Sequence, residues 1–177
     1  MEFEQRNDVT AEEYLEMIRL KTAVLLAASL KIGARLGGAS VEDADRLYDF
    51  GMHIGVAFQL KDDLLDVYGD PAVFGKNIGG DILCNKKTYM LIKALERADR
   101  DQLEGLNHWL STTSFCPEEK ISAVTELYTQ IGIKAVCENK MREYYTRAMT
   151  SLGAVSVIED KKSELKKLMK HLMYREM

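Results

Sequence analysis

From Phe58 to Lys87 the chain reads FQLKDDLLDVYGDPAVFGKNIGGDILCNKK. Three aspartates, Asp62, Asp63 and Asp66, stand first, at helical spacing. A glycine-rich stretch with Gly69, Gly75, Gly79 and Gly80 follows; it carries Lys76 and Asp81 and ends in Lys86 and Lys87. Carboxylates followed by lysines on a glycine-rich loop can hold a divalent cation and, with it, a diphosphate. Mg²⁺ takes a few carboxylates and fills its remaining positions with water and phosphate oxygens, while each lysine adds a charge-assisted bond to phosphate. The competing reading of the DDLLD run is a solvated acidic helix face, the usual fate of a charge run.

The elements that must position these groups can be read outward from them. A helix turns ~100° per residue, so Gly55, Gln59, Asp62 and Asp66 share one narrow stripe, extended backwards by Gly51 and Tyr48. Phe58, Leu65, Ile54 and Leu47 lie beside it, so the acids border the apolar side of their helix. Carboxylates grouped there repel one another and lose hydration, and a divalent cation relieves both. Ser40 caps this helix, which is expected to run to about Val67. Upstream, Thr10 and Glu13 read as a capping box for a helix reaching about Leu36 and ended by Gly37 and Gly38. Lys21 and Thr22 sit in its middle among apolar neighbours, where Lys21 must either snorkel to water or meet an anion.

Downstream, residues 69–85 are expected as loop. Helices follow over Lys87–Glu96, from the Asp99 cap to Leu110, from Pro117 to about Thr150 with Gly132 tolerated inside, and over Val157–Tyr174. The last carries Lys161, Lys162, Lys166, Lys167 and Lys170, read as a solvated face. No strand alternation, repeat or linker is present. The expectation is an all-α chain forming a single helical domain over residues 1–177.

Composition narrows the function classes. Hydrophobic residues make up 46%, and two prolines leave long helices possible. The net charge of −4 gives no reason to expect nucleic acid. Cys84, Cys116 and Cys137 have no metal or redox spacing, which fits a reducing, cytoplasmic setting. No apolar run approaches ~18 residues, so no membrane span is expected.

The stretch resembles the trans-isoprenyl diphosphate synthases, or polyprenyl synthetases, at their second aspartate-rich motif. The family pattern is met at Phe58, Gln59, Asp62, Asp63, Asp66, Gly69, Asp70, Gly75, Lys76, Gly79, Asp81, Lys86 and Thr88. Such a match is far more specific than a bare DDxxD. The Lys21–Thr22 pair also stands where the family has a lysine-threonine pair facing the allylic substrate.

The resemblance implies a helical bundle of the isoprenoid synthase type, of which this chain looks like the C-terminal part. It implies a Mg²⁺-dependent prenyltransferase that condenses isopentenyl diphosphate with an allylic diphosphate, working as a homodimer. Lys21, Thr22, Gln59 and Asp62 would be catalytic. Lys21, Gln59, Lys76 and Lys86 would contact diphosphate, Lys87 would point away, and Asp62, Asp63 and Asp66 would take the metal. Arg175 would correspond to the family's basic tail. The first aspartate-rich motif, which the family carries before the lysine-threonine pair, is absent from these 177 residues, which implies that the chain is inactive by itself. Two other readings stay open: a non-catalytic subunit pairing with a complete synthase, and a terpene cyclase.

Overall fold

The computed structural model describes residue 6, residues 8–70 and residues 78–173. Thr10 and Glu13 form the expected capping box: the Thr10 hydroxyl accepts the Glu13 amide at 3.1 Å, and the Glu13 carboxylate accepts the Thr10 amide at 2.9 Å. They start α1, Ala11–Ile18. This helix passes through a π-helical turn, Arg19–Ala23, into α2, Val24–Leu36. The rod to Leu36 is as expected, but its one widened turn falls on Lys21 and Thr22. Such turns frequently occur at functional sites.

Ser40 accepts the Asp43 amide at 3.0 Å and leads into α3, Val41–Tyr68, the 28-residue helix that carries the aspartates. Two expectations need correction after it. The stretch 69–85 is not all loop, because Gly80–Leu83 forms a short helix, α4. It is preceded by Gly79 at φ 85°, whose Cα packs so close to Ile121 that an added Cβ would sit 2.6 Å from its side chain. The next helix, α5, is Tyr89–Arg97, starting after the Thr88 cap rather than at Lys87.

Asp99 and Gln102 form a reciprocal capping box at the head of α6, Arg100–Ser111. The single helix expected from Pro117 to Thr150 is two helices, α7 (Pro117–Ile131) and α8 (Ile133–Gly153). Gly132 separates them at φ 78°, the left-handed conformation that terminates a helix. The final helix, α9, spans Glu159–Met173. Its basic face is not all solvated. Lys162 is buried and donates to the Gly153 carbonyl at 2.9 Å, closing the end of α8. Among the described residues no strand occurs, so the all-α expectation holds.

The chain divides into two compact units, with the division falling inside α3 between Lys61 and Asp62. One unit contains Tyr14 and Asp62–Glu138, and the other contains Leu15–Lys61 and, of the described residues that follow Glu138, 139–173. The core of the second unit joins Phe50, Ile54 and Ala57 of α3 with Ala148 and Leu152 of α8 and Met169 of α9. In the first unit α4, α5 and α6 all pack on α7, burying Ile82, Leu91, Leu106, Val124 and Tyr128. No described helix is long and apolar enough to cross a membrane.

Candidate active site

In the unit that holds Lys21, the predicted stripe on α3 is a helix-packing seam. An added Cβ on Gly51 would lie 2.6 Å from the Ala27 Cα, and one on Gly55 would lie 2.7 Å from the Ala23 Cα. Glycine facing alanine twice, one turn apart on each helix, lets the two backbones touch. One turn further along α3, the Thr22 hydroxyl donates to the Gln59 side-chain oxygen at 3.4 Å. The close approach is what brings Thr22 to Gln59. Lys21, its neighbour in the π-helical turn, is exposed and keeps its ammonium in water.

In the other unit the three aspartates have three different environments. Asp62 is half-buried. Asp63 is only 2% exposed and turns inward. Its carboxylate accepts a short hydrogen bond from the buried Tyr14 hydroxyl and lies 3.5 Å from the Lys86 ammonium. Burial, together with the Asp63 charge, pushes the Tyr14 hydroxyl far above the usual tyrosine range, so it remains a donor. Asp66 accepts the backbone amide of Asp81 at 2.9 Å and so caps the start of α4. Burial, and the nearby charge of Asp81, raise its carboxyl above the usual aspartate value.

Lys86 closes this group. Its ammonium sits 2.8 and 2.9 Å from the two carboxylate oxygens of Asp81. Burial works against its charge, but Asp63 and Asp81 outweigh that and hold Lys86 above the usual lysine value. Lys86 lines a small cavity of about 20 Å³ with Asp63, Asp81, Asn85, Trp109 and Lys120. Lys87 instead lines a separate cleft of about 790 Å³ with Leu91, Leu95 and Leu110. The two lysines thus face different cavities. Lys76, with Gly75, and Arg175 lie outside the described residues.

The acid set fits a hard divalent cation that brings other ligands with it. Among the described residues no three acids are grouped so as to hold a metal ion by themselves. Asp62 and Asp66 are partly accessible carboxylates one turn apart on α3. Asp66 is held at a cost that a nearby positive charge would relieve. Asp63 is buried and meets Tyr14 and Lys86.

The sequence pattern of the polyprenyl synthetase family matches residues 1–128. The chain belongs to the polyprenyl synthetase family. It is 45% identical over 132 residues to a short chain isoprenyl diphosphate synthase of Methanothermobacter thermautotrophicus, covering 75% of this chain and 40% of that one. It is 38% identical over 160 residues to a geranylgeranyl diphosphate synthase of Sulfolobus acidocaldarius, covering 90% and 48%. In three dimensions it superimposes on a geranylgeranyl pyrophosphate synthase with a TM-score of 0.90 and 36% identity, over 99% of this chain and 55% of the other. A geranylgeranyl pyrophosphate synthase of Corynebacterium glutamicum, complexed with isoprenyl diphosphate and magnesium, gives 0.84 and 30%, over 94% and 47%. The chain spans about half the length of the curated relatives it matches, and its bundle is of the isoprenoid synthase type.

Within this polyprenyl synthetase chain the motif reading named Gln59, the aspartates and Lys86, and the structure brings Asp63 and Lys86 together. It did not find Tyr14, Asn85 or Lys120. A tyrosine in the first turn of a helix is ordinary, and only the fold shows that it meets Asp63, 49 positions away.

Proposed function

We propose that this chain carries the second aspartate-rich side of a Mg²⁺-dependent prenyltransferase site, which condenses an allylic diphosphate with isopentenyl diphosphate into a longer isoprenyl diphosphate. The observation that carries the reading is the sorting of the DDLLD acids. Asp63 is locked inward by Tyr14 and Lys86, which leaves Asp62 and Asp66 as the pair for metal. Bound Mg²⁺ would stabilise the charge that develops on the leaving diphosphate. In this reading Lys86 and Lys76 offset further phosphate charge, and the family resemblance gives the same task to Lys21 and to Gln59, which Thr22 steadies. Departure of diphosphate leaves an allylic cation, which the double bond of isopentenyl diphosphate attacks; the resulting cation gives up a proton to the released diphosphate and forms the new double bond. The bound isoprenyl diphosphate and magnesium of the C. glutamicum relative support the ligand class.

Association with a second copy is part of the proposal. Leu25, Ile32 and Leu36 form one apolar stripe on α2, exposed by 75, 59 and 84%, and faces of this kind are where proteins associate.

Calorimetric titration with pyrophosphate tests the site directly. Binding is expected to strengthen when Mg²⁺ is present and to return to the metal-free value in Asp62→Ala. Identical weak binding with and without Mg²⁺ would remove the metal from the reading.

A further inference from the structure

Lys120, on α7, is 1% exposed, and among the described residues no carboxylate forms an ion pair with it. Its ammonium donates to the Asn85 side-chain oxygen at 2.7 Å and stands 4.3 Å from the centre of the Phe115 ring. An ammonium buried without a carboxylate is costly, and its burial pushes Lys120 below the usual lysine value. A residue in this state calls for a reason other than stability.

Asn85 supplies one. It is the non-glycine residue at positive φ, 51°, among the described residues, a conformation asparagine tolerates better than most. Its amide is held at both ends, the oxygen by Lys120 and the nitrogen by the Leu110 carbonyl at 3.0 Å. The next residue is Lys86, whose amide donates to the Asp81 carbonyl at 2.9 Å and whose ammonium is aimed at Asp81 and Asp63. The left-handed turn at Asn85 therefore sets the direction in which Lys86 leaves the backbone, and Lys86 and Lys87 are sent to different cavities as a result.

We propose that Lys120 is a positioning residue for Lys86, acting through the side-chain amide of Asn85. The inference rests on reading Lys86 as a diphosphate contact. Lys120 touches no substrate; it keeps the turn that presents Lys86.

The test is a double-mutant cycle on the full chain, read by pyrophosphate affinity in the presence of Mg²⁺ and by thermal unfolding. Lys120→Met is expected to weaken pyrophosphate binding about ten-fold while the melting temperature holds or rises, because a buried charge has been removed. In a Lys86→Ala background the same change should alter affinity by less than about two-fold, since its route of action is gone. If Lys120→Met does not fold, Asn85→Ala deletes the acceptor and disfavours the left-handed turn; it is expected to weaken binding about ten-fold, to add less than about two-fold in the Lys86→Ala background, and to melt lower than the parent because Lys120 is left unpaired. A loss of equal size in both backgrounds overturns the inference, because Lys120 is then only structural. Full affinity in Lys120→Met, with a loss in Lys86→Ala, also overturns it and leaves the diphosphate reading intact. No Mg²⁺-dependent binding, or no loss in Lys86→Ala, overturns the diphosphate reading and the inference with it.

Discussion

Asp63 and Asp66 lie three positions apart on one helix, within one motif, yet differ in character. Asp63 is a buried acceptor for Tyr14 and Lys86, so Tyr14→Phe leaves a buried carboxylate short of a donor. Such a loss costs about 1–3 kcal/mol, and it should appear as a lower urea midpoint with an unchanged slope. Asp66 behaves in the opposite sense. Its carboxyl is raised above its ordinary 3.8 by burial and by Asp81. A raised acid favours the folded state when protonated, so its contribution is fully present below about pH 3.8 and is lost as pH rises through the folded value. Asp66→Asn removes that loss. The variant should melt higher than the parent at neutral pH, the gap should close on acidification, and Mg²⁺-dependent pyrophosphate binding should disappear. A variant that is less stable at neutral pH would contradict this account of Asp66.

At the scale of the element, the seam between α3 and the α1–α2 rod explains why glycines precede the motif. Gly55→Ala would place a methyl 2.7 Å from the Ala23 Cα, where backbone has to move. Overpacking of this kind costs about 1–3 kcal/mol, and it should separate Thr22 from Gln59, weakening pyrophosphate binding as well. Gly33 on α2 is the matched control, because nothing lies within 4 Å of its added Cβ. Gly33→Ala should stabilise by about 0.5–1 kcal/mol and leave binding alone. Thermal unfolding of the two variants, measured side by side, separates seam packing from helix propensity.

For the whole molecule, the number of acid motifs decides what can be expected of it. These 177 residues contain one DDxxD run, and among the described residues no three acids meet. A divalent cation held from one side leaves most of its charge-stabilising partners to other groups. Residues 1–177 assayed by themselves with Mg²⁺, an allylic diphosphate and labelled isopentenyl diphosphate are therefore expected to yield no prenyl product. Supplying a separately expressed N-terminal half of a relative should restore it. Turnover of ~1–10³ per second from the 177 residues alone would refute this.

Fold class and motif were legible in the sequence because both are local. Helix starts are written in short-range pairs such as Thr10 with Glu13 and Asp99 with Gln102, and the stripe from Gly51 to Asp66 follows from helical period alone. Gly132 was visible as a weak point, but whether a glycine bends a helix or ends it depends on the packing that follows. The widened turn at Lys21 and Thr22 left no local mark either, since it is a matter of hydrogen-bond register within a good helical sequence. Which aspartate faces inward was decided by Tyr14, 49 residues away, and which lysine faces the acids was decided by Asn85, Lys120 and Leu110, brought together from three segments. Residue types and spacing determine which groups are available for chemistry. Only tertiary contacts decide which of them are buried, paired or left free to act, because burial and pairing depend on neighbours that are distant along the chain.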